Sequence, residues 1–379
     1  MPSLPIYFDY QATTPIDKRV LEAMMPYLTT HFGNPHSVEH AFGWQAGAAI
    51  EVARKQIAQL IGADTSEIIF TSGATESNNL ALKGMAYAAY PQKNHIITVV
   101  SEHECVLACA RSLEDAGFKV TYLSVDHDGL IDLEALENAI HDKTSLVSVM
   151  AVNNEIGVIQ NLEKIGEICR KKQVTFHTDA AQAVGKIALD VSAFNIDALS
   201  ISSHKIYGPK GIGALYLKKD TPIIALFDGG GQENGLRSGT LSPALCVGMG
   251  TACAVAQKDR LQDNIHIDKL SQYLLNEIIS KLGCAHLNGS LDHRFLGNLN
   301  FTFKGIKSDL LVANLKDVAL STGAACSSAS AKSSYVLSAL GLTKQEIASS
   351  LRIGIGRMTT QEEVTFGADY IIKTVKNLT

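Results

Sequence analysis

Lys205 stands just past the end of an apolar run, in SISSHKIYGPKG, where its amine can condense with a carbonyl as a Schiff base. A lysine taken alone is more often a solvated surface charge, so its meaning depends on what accompanies it. Asp179 closes the preceding apolar run, in TDAAQAVG. Pyridoxal 5'-phosphate (PLP) needs a carboxylate beside its pyridine nitrogen, because the paired charge keeps that nitrogen protonated and the ring electron-withdrawing. Asp179 is suited to that place, and Gln182 offers an amide donor for the ring's phenolate oxygen. A phosphate needs backbone N–H groups and hydroxyls at a helix start. FTSGATESNN supplies a strand ending at Thr71, the Ser72–Gly73–Ala74 turn and then Thr75 opening a helix. Such a turn is also an ordinary helix cap. Ser202 and His204, flanking the lysine, add further phosphate donors, and His103 in SEHECVL can lie on the pyridine ring and move protons.

Positioning these residues requires a strand before each of them. IIFTSG, HIITVV, KVTYLSV, LVSVMAV, VTFHTD, ALSIS and GALYLK read as strands that are almost continuously apolar, as strands covered on both faces must be. Between them lie amphipathic stretches, one from Asp132 to Ile140 and one opening at Asn161 and closing on Arg170, Lys171 and Lys172. This alternation predicts an α/β fold whose seven-stranded, mainly parallel sheet binds ligands at the carboxyl ends of its strands. Beyond about Asp259 the pattern changes to a long helix, a strand-like LGNLNFTF and two capping boxes, Thr343 with Glu346 and Thr360 with Glu363. The expected division is an N-terminal arm over 1–15, a large domain over 16–258 and a smaller α+β domain over 259–379.

Hydrophobic residues make up 46% and charged residues 19% of the 379-residue chain, which describes a folded protein and not a disordered one. A net charge of −5 argues against nucleic acid or an anionic membrane as partner. The most apolar stretch, from Ala244 to Ala256, is too short to span a bilayer. The sequence opens without a basic secretory leader or an Arg-rich presequence, so the expected location is the cytoplasm. Seven cysteines, odd in number and without CxxC spacing, read as reduced thiols; neither a metal site nor an Fe–S carrier is expected. Cys105 and Cys109, four apart, read as one buried helix face.

Cys326 is different, because it sits in a Ser/Ala/Gly-rich stretch, about 321–334, which suits a mobile loop that carries a reactive thiol. For a substrate carboxylate, LRIGIGR offers two arginines, Arg352 and Arg357. Asn154 of VNNEIG has an amide that can reach a carboxylate or a ring oxygen. GNPHS, with Asn34 and His36, reads either as an entrance to the site or as a simple turn.

The chain resembles the cysteine desulfurases of the NifS/IscS family, fold-type I PLP-dependent enzymes, over almost its whole length. The matching segments are YFDYQATTP, GNPHS, FTSGATESNN, SEH, VNNEIG, TDAAQAVGK, SSHKIYGPKG, GGGQENGLRSGT and STGAACSSAS. The resemblance implies L-cysteine as substrate, Lys205 as the Schiff-base lysine and remover of the Cα proton, and Cys326 as the thiol that takes up the sulfur as an enzyme-bound persulfide, leaving alanine. It implies Asp179 and Gln182 on the ring, His103 stacked over it and moving protons, and Ala74, Thr75, Ser202 and His204 on the phosphate. Arg352 is favoured over Arg357 for the carboxylate, with Asn154 and Asn34 nearby. Thr240 of RSGT is expected to reach the phosphate of a second subunit, so the resemblance also implies a homodimer.

The loop around Cys326 resembles that of the long-loop, IscS-like group, which implies delivery of sulfur to an IscU-like Fe–S scaffold and to other acceptors such as tRNA thiolation. The sequence ends at Thr379 without the longer tail that helps IscS dock its scaffold, which leaves the acceptor open. Two other readings share the fold: a selenocysteine lyase or an aminotransferase, and a non-catalytic scaffold. An aminotransferase has no use for Cys326, and a scaffold has none for Lys205.

Overall fold

A computed structural model of the chain describes residue 2, residues 4–322 and residues 333–379. A two-residue strand, β1 (Ile6–Tyr7), precedes helices α1 (Lys18–Thr29) and α2 (Ala41–Ile61). Strands and helices then alternate: β2 (Ile68–Thr71), α3 (Ala74–Ala89), β3 (His95–Val99), α4 (Glu104–Asp115), β4 (Lys119–Leu123), α5 (Leu133–Ala139), β5 (Thr144–Ser148) and α6 (Leu162–Lys172). β6 (Thr175–Asp179), β7 (Ala198–Ser202) and β8 (Gly213–Leu217) complete the series. The seven strands β2 to β8 form one sheet in the order β2-β8-β7-β6-β5-β3-β4. All pairings are parallel except those of β8, which runs antiparallel to β2 and β7.

The apolar runs are continuous because helices cover both faces of this sheet. Ile69, Ile96, Leu146 and Leu215 pack with Leu80 and Leu82 of α3 and Val106 and Leu113 of α4. Their strand neighbours Ile68, Phe70, Ile97, Val147, Phe176 and Leu199 belong to the opposite core, with Ile57 of α2 and Ile165 of α6. Adjacent side chains on a strand point to opposite faces, so both parities must be apolar here. The helix ends follow their capping residues. Asn161 accepts from Lys164 N at the start of α6, whose last turn holds Arg170, Lys171 and Lys172. Asp132 caps α5 through Glu134 N and Ala135 N.

One helix of 39 residues, α7 (Pro243–Lys281), roughly 60 Å long at 1.5 Å per residue, leads from this sheet to a second layer. The division expected between 258 and 259 falls inside that helix. The second layer holds β9 (Ala285–Leu287), β10 (Asn298–Phe303), α8 (Ser308–Asn314), β11 (Val318–Ala319), α9 (Tyr335–Ala339), α10 (Lys344–Ile347), β12 (Ser350–Gly354) and α11 (Gln361–Leu378). β12, β10 and β9 form an antiparallel sheet, and both expected capping boxes are present, on α10 and α11. β1 pairs in parallel with β11, so the start of the chain is held against the second layer.

Within the large sheet, His177 of β6 is fully buried between Ser148 Oγ (2.9 Å from Nδ1) and Ser200 Oγ (3.1 Å from Nε2). Burial pushes its imidazole down to about 3. The unfolded chain takes up this proton near the ordinary histidine value of about 6.5 and the folded chain does not, so acid favours unfolding. Between pH 6.5 and 5 this residue alone is expected to remove about 1.6 kcal/mol of stability. His177→Asn should lessen the fall in denaturant-unfolding free energy over that range by a similar amount. An equal fall in both proteins would contradict the assignment.

Candidate active site

Because β2, β7, β6, β5 and β3 run in one direction, their carboxyl ends lie along one edge, and the residues that follow them gather there. Asp179 is the last residue of β6 and is buried. Both of its oxygens are engaged: Oδ1 accepts from Ala181 N at 2.9 Å and Oδ2 from Asn78 Nδ2 of α3 at 2.7 Å. The carboxylate is thereby held in one orientation at the strand end.

Lys205 follows β7 in a single turn of 3-10 helix, Ser203–Lys205. Its Nζ donates to two main-chain carbonyls of the YFDYQATTP segment, Gln11 O at 2.5 Å and Ala12 O at 2.8 Å. Gln182 Nε2 donates to the same Gln11 O at 2.8 Å, and Gln182 Oε1 accepts from Lys186 Nζ at 2.6 Å. Lysine and glutamine thus meet on one carbonyl supplied by the start of the chain. The adjoining His204 places Nδ1 3.1 Å from Thr13 Oγ1, and burial, with Lys205, Lys210 and Lys186 nearby, pushes its ring down to about 4. His204 is therefore neutral at pH 7.

His103 caps α4, its Nδ1 accepting from Cys105 N at 3.2 Å. An accepting Nδ1 places the proton of the neutral ring on Nε2. The same Nδ1 lies 3.1 Å from Cys105 Sγ, and Asn78 Nδ2 lies 3.2 Å from that sulfur. Only Cys109 is on the buried helix face expected for the pair; Cys105 is partly exposed and touches the site. Cys105 lies in the first turn of α4, beside Asn78 of α3 and His103, so the four-residue spacing did not bury both thiols. Glu102, just before His103, is wholly buried with Oε1 accepting from Met150 N at 2.5 Å. Burial, with the Asp179 charge close by, holds its carboxyl well above the ordinary range.

At the end of β2, Gly73 turns the chain at φ 155, a conformation open to glycine, and a Cβ there would meet nothing within 4 Å. α3 begins one residue earlier than expected, at Ala74, and Ser77 N is bonded back to Gly73 O. The preceding amides of Ala74, Thr75 and Glu76 are those that a helix start leaves without intrahelical partners. Ser202, buried at the end of β7, makes no side-chain cap to the turn after it.

Arg352 of β12 is 2% exposed, with Nη2 2.7 Å from Asp9 Oδ1 and Nη1 2.9 Å from Asn154 O. Its Nε has no hydrogen-bond partner among the described residues, so one edge of the fork is unspent. Arg357 is taken up elsewhere, stacked 3.9 Å over the Tyr207 ring and paired with Asp17 at 2.5 Å. Asn154 enters through its main-chain oxygen, whereas sequence had pointed to its amide. Asn34 is exposed and accepts from His36 N at 3.0 Å, a local turn. Thr240 is exposed beyond the loop anchored by Arg237–Glu76 and Arg54–Glu233 ion pairs. Cys326 lies outside the described residues. Asn78, Asp9, Lys186 and the Gln11 carbonyl were not found from sequence; only Lys186, four residues after Gln182, carried any signal in its spacing.

This arrangement fits PLP. The open turn at Gly73 leaves room beside first-turn amides, the clamped Asp179 carboxylate suits a protonated pyridine nitrogen, and the Lys205 amine lies between them along the same strand edge.

The aminotransferase class-V family model matches residues 6–366. Cysteine desulfurase IscS of Rickettsia africae (strain ESF-5) is 55% identical over 378 residues, covering 99% of this chain and 92% of that protein. The IscS of Rickettsia felis is 55% identical over 379 residues, covering 100% and 92%. Among solved structures, a NifS-like protein superposes with a TM-score of 0.93 at 36% identity, covering 99% of this chain and 100% of its own. SspA in complex with cysteine superposes with a TM-score of 0.84 at 40% identity, covering 94% and 100%. The chain belongs to the aminotransferase class-V family and, within it, to the cysteine desulfurases of the IscS kind.

Proposed function

We propose that this protein is a PLP-dependent cysteine desulfurase that converts L-cysteine to L-alanine and carries the sulfur as a persulfide on Cys326. The observation that carries the reading is the meeting of Lys205 Nζ and Gln182 Nε2 on Gln11 O, along the strand edge that holds Asp179. It is supported by the IscS relatives and by the cysteine bound in the SspA structure.

When bound, PLP supplies an electron sink that acidifies the substrate's Cα–H and weakens its C–S bond. Asp179 pairs with the ring nitrogen and Gln182 donates to the ring oxygen. Ala74 and Thr75 amides, the Thr75 and Ser202 hydroxyls and His204 hold the phosphate, and Thr240 of a second copy completes the cradle. Arg352 uses its unpaired Nε edge for the substrate carboxylate, beside Asn154, with Asn34 at the approach. Lys205 takes the Cα proton and, once sulfur has left, returns a proton to Cα so that alanine is complete. His103, with its proton on Nε2, relays protons between the thiols and the site. The Cys326 thiolate bonds to the substrate sulfur as the Cβ–S bond breaks; that bond's electron pair stays with Cβ, which is protonated to give alanine.

A homodimer is supported by the apolar surface of the first two helices and the turn between them, where Leu28, Phe32, Phe42 and Trp44 are exposed. No helix among the described residues is long and apolar enough to cross a membrane. Kinship with IscS supports a cytoplasmic enzyme that delivers sulfur to an IscU-like Fe–S scaffold and to other acceptors such as tRNA thiolation.

Wild-type protein with dithiothreitol is expected to release equal alanine and sulfide from L-cysteine, and to sediment at twice its 40.6 kDa chain mass. Cys326→Ala is expected to lose both products by about 10²-fold, as for loss of a nucleophile, while keeping the cofactor's visible absorbance. Alanine release at the wild-type rate would replace the persulfide route with direct lyase chemistry.

A further inference from the structure

Lys186 is a partly buried lysine that the reaction above does not use. Its Nζ donates to Gln182 Oε1 at 2.6 Å and lies 5.4 Å from the centre of the Phe295 ring. Gly185 brings it there: φ is +74, and a Cβ would meet Ala256 Cβ at 3.0 Å and Ile206 Cγ2 at 3.2 Å. α7 fixes the backbone, with Asn264 Nδ2 donating to Lys186 O at 2.7 Å. The side chain lines one cavity with Lys205, Gln11, Phe295 and Asp263.

The consequence lies in the Gln182 amide. An amide can be turned end for end, and the two orientations present opposite chemistry to a ligand. Here Nε2 faces Gln11 O, an obligate acceptor, and Oε1 faces Lys186, an obligate donor. Nε2 keeps one further hydrogen for a ligand. With Lys186 removed, Gln11 O alone holds the amide, and Oε1 has lost the donor that fixes the amide plane, so the remaining N–H can swing away from an anionic ring oxygen.

We propose that Lys186 is a positioning residue that acts through Gln182, holding its amide with the N–H side toward the cofactor's ring oxygen. The inference rests on the PLP assignment. Burial, with the Lys205 and Arg352 charges nearby, pushes the Lys186 amine down to about 7. Both –NH3+ and –NH2 donate hydrogen bonds, so its hold on Gln182 survives that titration.

The test is a pH titration of the visible band of the PLP-loaded enzyme, without substrate. A donor on the ring oxygen favours the anion and so eases loss of the proton shared with the Lys205 nitrogen. Lys186→Met is expected to raise the band's pKa by roughly one pH unit. Gln182→Ala should raise it similarly, and the double variant should match Gln182→Ala alone, since residues acting through one contact are not additive. An unchanged pKa in Lys186→Met overturns the proposal, as does a rise that adds fully to that of Gln182→Ala, which would mean that Lys186 acts by its own charge. Lys186→Leu serves with the same readings if the methionine variant does not fold. A wild type that shows no band with added PLP would instead defeat the cofactor assignment itself.

Discussion

Lys205→Ala is expected to fold, to bind PLP without the visible band of a lysine-linked cofactor, and to form alanine on the order of 10⁴-fold more slowly. Two losses combine: the covalent tether to the cofactor and the base that removes the Cα proton, the latter typically worth 10²–10⁴. The fold should survive, because Gln11 O keeps its second donor, Gln182 Nε2. Ala12 O loses Lys205, which costs about 1 kcal/mol if water replaces it. A rate read as alanine formed, with and without added ethylamine, tests the base directly. Partial recovery with the small amine is the expected result; a variant that keeps the band and the rate would remove Lys205 from the mechanism.

Asp179→Asn is expected to slow the reaction by roughly 10²–10³-fold and to lower stability as well, and the two effects have separate causes. The rate falls because a neutral amide does not hold the ring nitrogen protonated, and the ring then withdraws electrons poorly. Stability falls because Asp179 is held by two donors, Ala181 N and Asn78 Nδ2. A carboxylate accepts from both. An asparagine has one oxygen, so its NH2 must face one of these donors in a buried site, at a cost of about 1–3 kcal/mol. Measuring alanine formation and the denaturant midpoint on one preparation separates the causes. Full activity in a destabilised variant would leave Asp179 a purely structural residue.

The sheet and the residues gathered at its carboxyl edge were legible because each strand is short, apolar at both parities and followed by a punctuating turn. Such strands require helices on both faces, and parallel order then places all the following residues on one edge. The caps at Asn161, Thr343 and Thr360 were legible for the same local reason, since a cap is satisfied within three residues.

The antiparallel course of β8 between β2 and β7, and the pairing of β1 with β11, were not legible, because they join segments far apart in the chain. The long helix expected beyond about Asp259 begins sooner, at Pro243, and runs through Gly248 and Gly250. At the site, side-chain types that name their own chemistry, such as Lys205, Asp179, Gln182 and His103, stood out in sequence. What orients them did not. The Gln11 carbonyl has no side-chain signature, Asn78 looks like any polar residue on a helix, and Asp9 gains its role only by facing Arg352 across 343 residues of chain. Sequence by itself determined which chemical groups this protein carries to one edge of its sheet, because that depends on local pattern and residue type. Tertiary structure alone decided which donor faces which acceptor there, because a hydrogen bond is set by a few tenths of an ångström between segments that the chain order does not connect.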